Sequence, residues 1–173
     1  MTKPISFTAT TSLILSARKA IVKAIALCAA AATSTLEVFD GTIGTIATAA
    51  VAAGGTLYEV GDTITLVQAG GGVQAVFTVA TVDAPETGVV TGLTLVSGGT
   101  GYTAGATYAT TTNSIAGTAL TVTASTVTDA GTSIGKISVL ANESRDLPIC
   151  GVVDNGVSVR ITGSAAKGFL YHE

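Results

Sequence analysis

The sequence predicts an all-β protein: a β-sandwich assembled from both ends of the chain, carrying an inserted two-unit β-repeat. Three observations predict it. The apolar side chains are mainly Ala, Val, Ile and Leu scattered among Thr, Ser and Gly, with aromatics at 5% and no Trp, and β-branched side chains suit a pleated sheet. Val157, Val159 and Ile161 alternate with Ser158, Arg160 and Thr162, the period of a half-buried strand. A Gly-Gly-Thr segment also recurs at a fixed interval, the mark of an internal repeat.

Residues 17–32 come first. Their Ala content permits a helix, but Val22, Ala24, Ala26 and Cys28 alternate with Ile21, Lys23 and Ile25, and a strand agrees with the β character of everything around them. Residues 36–40 form a second strand. The repeat follows. Gly54-Gly55-Thr56-Leu57-Tyr58-Glu59-Val60-Gly61 matches Gly98-Gly99-Thr100-Gly101-Tyr102-Thr103-Ala104-Gly105, and the offset of 44 residues also pairs Gly44 with Gly88 and Ala75 with Ala119. Each unit reads as a strand, a Gly-rich turn with its Tyr, a second strand, a loop and a third strand. In the first unit, about 44–87, the strands are 46–52, 63–67 and 74–82. In the second, about 88–127, they are 89–96, 107–111 and 119–125. At least one Gly of each Gly-Gly pair is expected at positive φ, because tight reversals commonly require it. The Tyr is expected to pack over its turn.

Beyond the repeat, strands are predicted at 134–140, 149–153, 157–162 and 168–171. Asp154-Asn155-Gly156 reads as a turn suited to a tight hairpin. The domain organisation is therefore a discontinuous host, 1–43 plus 128–173, with the repeat 44–127 set in one of its loops. Surface loops tolerate such insertions, because closure entropy grows slowly with loop length.

Composition excludes several function classes. Charged residues are 11% and net charge is -3; a protein packed in an assembly needs less charge to stay dispersed than a free monomer does. A pI near 5.0 argues against nucleic acid, which calls for clustered Lys and Arg. No apolar run reaches the ~20 residues of a membrane span, so no membrane partner is expected. A signal peptide fits poorly, since Lys23 interrupts the apolar stretch and nineteen residues precede it. Cys28 and Cys150 read as buried thiols, with a disulfide between the chain ends as the other reading.

The flanks carry a resemblance. Lys19-Ala20-Ile21-Val22-Lys23-Ala24-Ile25-Ala26-Leu27 leads to Val38-Phe39-Asp40-Gly41; then come Gly131-Thr132-Ser133-Ile134-Gly135-Lys136-Ile137, an Asn155-to-Val159 strand and a terminal strand with Phe169 and Tyr171. This series resembles small virion proteins of tailed bacteriophages. The insert is similar to Gly-Gly-x-Gly-Tyr modules of phage tail, fibre and decoration proteins, with Leu57 departing from the usual Gly. The resemblance implies a virion location and a jelly-roll-like sandwich, often trimeric, on a capsid.

No catalytic, cofactor or metal site is expected. The one His, His172, is next to last, where an imidazole is poorly held for a catalytic triad. Asp40, Asp62, Asp83, Glu86, Asp129 and Asp154 lie in predicted turns without calcium-loop spacing, as turn formers. Gly70-Gly71-Gly72 and the Gly98–Gly101 run lack the helix and Lys of a phosphate loop. Asn142-Glu143-Ser144 fits a glycosylation acceptor with no meaning in a bacterial or phage setting. Arg18, Lys19 and Lys23 form the only basic cluster; a solvated strand edge and a capsid or subunit contact are its two readings. Tyr58 and Tyr102 are the possible exposed-turn aromatics. The expected function is a non-enzymatic capsid decoration or cement protein, a homotrimer bound to the major capsid protein. The alternatives are a tail, baseplate or fibre component recognising a host-surface glycan, and a secreted adhesive or surface-layer module.

Overall fold

The computed structural model describes residues 5–8, 12–16, 20–29, 32–68, 72–83, 87–113, 116–163 and 166–172. They form fourteen strands and no helix. The strands are β1 (Ile5–Thr8), β2 (Ser12–Ser16), β3 (Ala20–Ala29), β4 (Ser34–Asp40), β5 (Thr45–Thr56), β6 (Thr63–Leu66) and β7 (Val76–Val82). They continue as β8 (Val90–Ser97), β9 (Thr107–Thr112), β10 (Thr118–Thr128), β11 (Thr132–Val139), β12 (Ser144–Val153), β13 (Val157–Thr162) and β14 (Ala166–His172). The chain divides into two compact units, 1–43 with 129–173, and 44–128.

The first unit is a sandwich of two four-stranded sheets, ordered β1-β14-β3-β12 and β11-β4-β13-β2. Counting only its own eight strands, one sheet runs first, eighth, third, sixth. The other runs fifth, fourth, seventh, second. This double Greek key is the jelly-roll order. Period-two burial follows from the alternation in sequence: Leu36 and Val38 of β4, Ile137 and Val139 of β11, and Val157, Val159 and Ile161 of β13 are all buried. Two strands, β1 and β2, precede the first one predicted. Their Ile-Ser-Phe-Thr and Ser-Leu-Ile-Leu-Ser segments are too short for periodicity to mark them, and pairing with β14 and β13 is what makes them strands.

The Asp154-Asn155-Gly156 turn is not a hairpin. It carries the chain from β12 in one sheet to β13 in the other. Asp40 decides this: its carboxylate accepts the N–H of Asn155 at 2.8 Å, and Gly41 N donates to Gly156 O at 2.9 Å. The turn is thereby tied to the end of β4, the neighbour of β13. β12 starts at Ser144, earlier than the strand expected at 149–153, and runs through Pro148. β12 lies at the edge of its sheet, and an edge strand tolerates a residue with no N–H to donate. The register of β3 with β12 sets Cys28 opposite Ser144. Cys150 is six residues farther along, roughly 20 Å at strand rise, whereas a disulfide needs Cα atoms within about 7 Å. The two cysteines of one chain therefore do not pair.

The second unit is one six-stranded antiparallel sheet, β5-β10-β9-β6-β7-β8. Its outer strands meet. Ile46 N donates to Gly98 O at 3.0 Å, and at the other end Leu57 N donates to Thr87 O at 2.9 Å and Tyr58 N to Gly88 O at 3.0 Å. The sheet thus nearly closes into a barrel, which leaves little free strand edge. Its core holds Ile46, Tyr58, Ile64, Leu66, Phe77, Val79, Val90, Tyr102, Leu120 and Val122. The sequence repeat is visible in the backbone: positive φ recurs at Gly44 and Gly88, Gly55 and Gly99, and Gly61 and Gly105. Gly55 lies within β5, so in the first unit the Gly-Gly pair ends a strand instead of forming a separate turn.

Leu57 stands where the second unit has Gly101, and it adopts the same left-handed conformation, φ 63° against 86°. A Cβ there costs about 1 kcal/mol, and Leu57 is half-exposed, so little packing offsets it. Leu57→Gly is expected to leave the melting temperature of this unit unchanged or raised. The same replacement at Leu140, also half-exposed but without positive φ, is expected to lower the host's. Thermal melts of the two variants check the contrast.

Candidate functional site

The residues singled out in the sequence do not gather in one place. Arg18 and Lys19 lie outside the described residues. Lys23 is on β3, which is flanked by β14 and β12, so the strand-edge reading fails for it: strands from the C-terminal part of the chain cover both sides. His172 closes β14 in register with Val22, in a strand and not in a tail.

Tyr58 and Tyr102 are not exposed. Tyr102 is fully buried and Tyr58 is 3% exposed. The Gly-rich segments let the rings fold inward instead of outward. The Tyr102 hydroxyl accepts the N–H of Ala75 at 2.7 Å and donates to the carbonyl of Leu66 at 3.1 Å. Its ring meets Tyr108 edge-on, centroids 4.9 Å apart. Burial pushes the Tyr102 hydroxyl pKa above its ordinary value; the Ala75 N–H pulls it partly back and Tyr108 adds a smaller upward push. Tyr58 lies against Gly117, where an added Cβ would meet three ring atoms within 2.8 Å. Both aromatic turns therefore build the core, and among the described residues of the insert no exposed ring remains on which a sugar could stack.

The described turn carboxylates have structural partners, and Glu86 lies outside the described residues. Asp62 accepts the N–H of Glu59, and Asp83 accepts the Thr87 hydroxyl and the Val89 N–H. Asp129 holds Arg160 through both oxygens, at 2.7 and 2.8 Å, while the guanidinium carbon lies 5.3 Å from the Phe39 ring centroid. Beside it Ser133 donates to Glu37 at 2.7 Å. Among the described residues no three His, Cys, Asp or Glu side chains come together in a way that could hold a metal ion.

Two surfaces remain, and they differ in charge. Residues 44–128 contain no Lys, Arg or His; their ionisable acids are Glu59, Asp62, Asp83 and Glu86. All eight basic residues lie in the host, against seven acidic ones, so the chain's -3 divides into -4 for the insert and +1 for the rest. The insert's outer face is paved with threonine instead. Thr48 bonds Thr126 at 2.7 Å, Thr107 bonds Thr123 at 2.8 Å, Thr56 bonds Thr118 at 3.2 Å and Thr91 donates to Thr81 at 2.9 Å. A row runs across three strands through Thr63, Thr78 and Thr94. This division of charge was legible in the sequence once the insert boundaries were drawn. No family model, curated protein or solved structure matches the chain.

Chemically, then, the insert offers threonine hydroxyls, several already bonded to one another, a few carboxylates, and the exposed apolar side chains of Leu57, Val60, Val67, Val73 and Val96. A polyanion finds no cation on it. Any ion pair with an acidic partner surface must come from the host, where Arg145, Lys136 and Arg160 stand on β12, β11 and β13.

Proposed function

We propose that the protein is a non-enzymatic structural component of a tailed-bacteriophage virion: a capsid decoration protein that binds and stabilises the outer surface of the major capsid protein, as a homotrimer formed through its host unit. The observation that carries the reading is the division of labour between the units. The unit made of residues 1–43 and 129–173, whose sequence contains every basic residue, forms a jelly roll, and the unit 44–128 forms a nearly closed, threonine-paved barrel free of cations. A decoration protein needs a sturdy attachment domain and an outer part that does not stick to its neighbours. A barrel with little free edge and no basic residue meets the second need, because open edges template strand addition between crowded copies. The glycan-binding alternative loses its main support with the burial of Tyr58 and Tyr102.

Labelled protein added to purified capsids that lack it is expected to bind in hundreds of copies spread over the shell. A few copies at one vertex would identify a tail or portal component instead. A variant with residues 44–127 replaced by a short Gly-Ser link is expected to remain trimeric by light scattering and to bind equally well. A folded but monomeric variant would overturn trimerisation through the host; a folded variant that no longer binds would move the contact onto the insert.

A further inference from the structure

The insert is not two domains in a row. Of its six strand seams, only β6–β7 and β9–β10 join strands of the same 44-residue half; β5–β10, β9–β6, β7–β8 and the closing contact of β5 with β8 all join one half to the other. Neither half can bury its own strands alone.

The contacts between halves are also reciprocal. Tyr58 N donates to Gly88 O at 3.0 Å, and Tyr102 N donates to Gly44 O at 2.9 Å: each is the other bond shifted by 44 residues with the halves exchanged. Within the halves, Asp62 N to Glu59 O is matched by Ala106 N to Thr103 O, and Gly61 N to Val79 O corresponds to Gly105 N to Ala124 O, where the donor is shifted by 44 residues and the acceptor by 45. In the β6–β9 seam Leu66 pairs with Thr110, its own counterpart 44 residues on. The β5–β8 contacts at Ile46 with Gly98 and Leu57 with Thr87 centre in the same way on Ala50 and its counterpart Thr94. A seam in which a residue faces its own counterpart is the sign of a two-fold axis, as at an isologous dimer interface. Here two such seams lie on opposite sides of one barrel.

The geometry points to a fused dimer: each half presents a self-complementary surface whose partner is a second copy of the same half, so a chain carrying only one half joins a second copy of this chain through a shared barrel. The first half is equipped for it. Its Ile46, Tyr58, Ile64, Leu66, Phe77 and Val79 are buried, and at the axis Leu66 would meet Leu66 in place of Thr110.

Two variants of the full chain test this. In the first, residues 84–127 are deleted, so that β7 leads through Asp83 into Thr128, the last residue of β10. In the second, residues 88–127 are replaced by a second copy of residues 44–83. Native mass and hydrogen exchange are measured for both beside the parent. The single-half chain is expected to contain twice as many protomers as the parent. The tandem chain is expected to return to the parental number with its barrel amides protected. A single-half chain with the parental number of protomers overturns the inference, whatever its fold. So does a tandem chain whose insert amides exchange freely, since the first half would then fail to complement itself even when covalently supplied.

Discussion

Gly99→Val is expected to melt the insert and spare the host. Gly99 holds φ at +56°, and a Cβ on it would lie 2.4 Å from Val73 O, 2.6 Å from Ala75 N and 2.8 Å from Gln74 C. All three atoms are backbone, so no side chain can swing aside. Thr100 N donates to Val73 O at 2.8 Å just beside the clash, which ties the turn to the segment it would strike. The strain of a left-handed β-branched residue, about 1–2 kcal/mol, adds to about 1–3 kcal/mol of overpacking. For a unit of this size that lowers the melting temperature by roughly 10 °C or more. Gly55→Val should behave alike, because its Cβ would meet Thr118 O at 2.3 Å and Leu120 N at 2.9 Å. Calorimetry should show the insert's transition displaced and the host's unmoved. Parental melting of both variants would refute the backbone geometry of these segments. A joint fall of both transitions would refute independent melting of the two units.

Tyr102→Phe should cost nearly as much, and through a different cause. Its hydroxyl both receives the Ala75 N–H and serves the Leu66 carbonyl, in a buried position that joins the start of the third strand to the end of the second. Phe fills the same space but leaves a buried donor and a buried acceptor unpaired, at about 1–3 kcal/mol each. Tyr108→Phe is the control: its hydroxyl accepts only the exposed Thr103 N–H, and a loss under about 1 kcal/mol is expected. The pH dependence adds a second readout. In the unfolded chain the hydroxyl ionises near 10, while burial raises its pKa in the folded state. The folded form therefore holds its proton where the unfolded form has lost it. This contribution is fully present below pH about 10 and is lost as pH rises through the folded value. The parent should lose insert stability in alkali more steeply than Tyr102→Phe; parallel curves would show that burial does not perturb the hydroxyl.

The same tyrosines show where sequence reading stops. That residues 98–102 reverse the chain, with Gly99 at positive φ, was legible because turn conformation depends on a few adjacent residues. That the rings point inward was not, because the atoms receiving the Tyr102 hydroxyl, Ala75 and Leu66, are 27 and 36 residues away. Lys23 gives the same lesson. Its strand was readable from alternation, but whether that strand is an edge depends on β12 and β14, more than a hundred residues on.

The sequence by itself determined the all-β class, most strand positions, the 44-residue repeat and the glycines at its reversals. These follow from side-chain alternation and local backbone preference, which act within a few residues. Only the tertiary structure decided that the two repeats interleave into one barrel, that Asp154 to Gly156 crosses between sheets, that β12 can hold Pro148 at an edge, and that Cys28 and Cys150 stay apart. Each of these is a choice of pairing partner. Strands of similar composition can pair in many orders, and the order is selected by which arrangement buries the apolar faces of all of them at once.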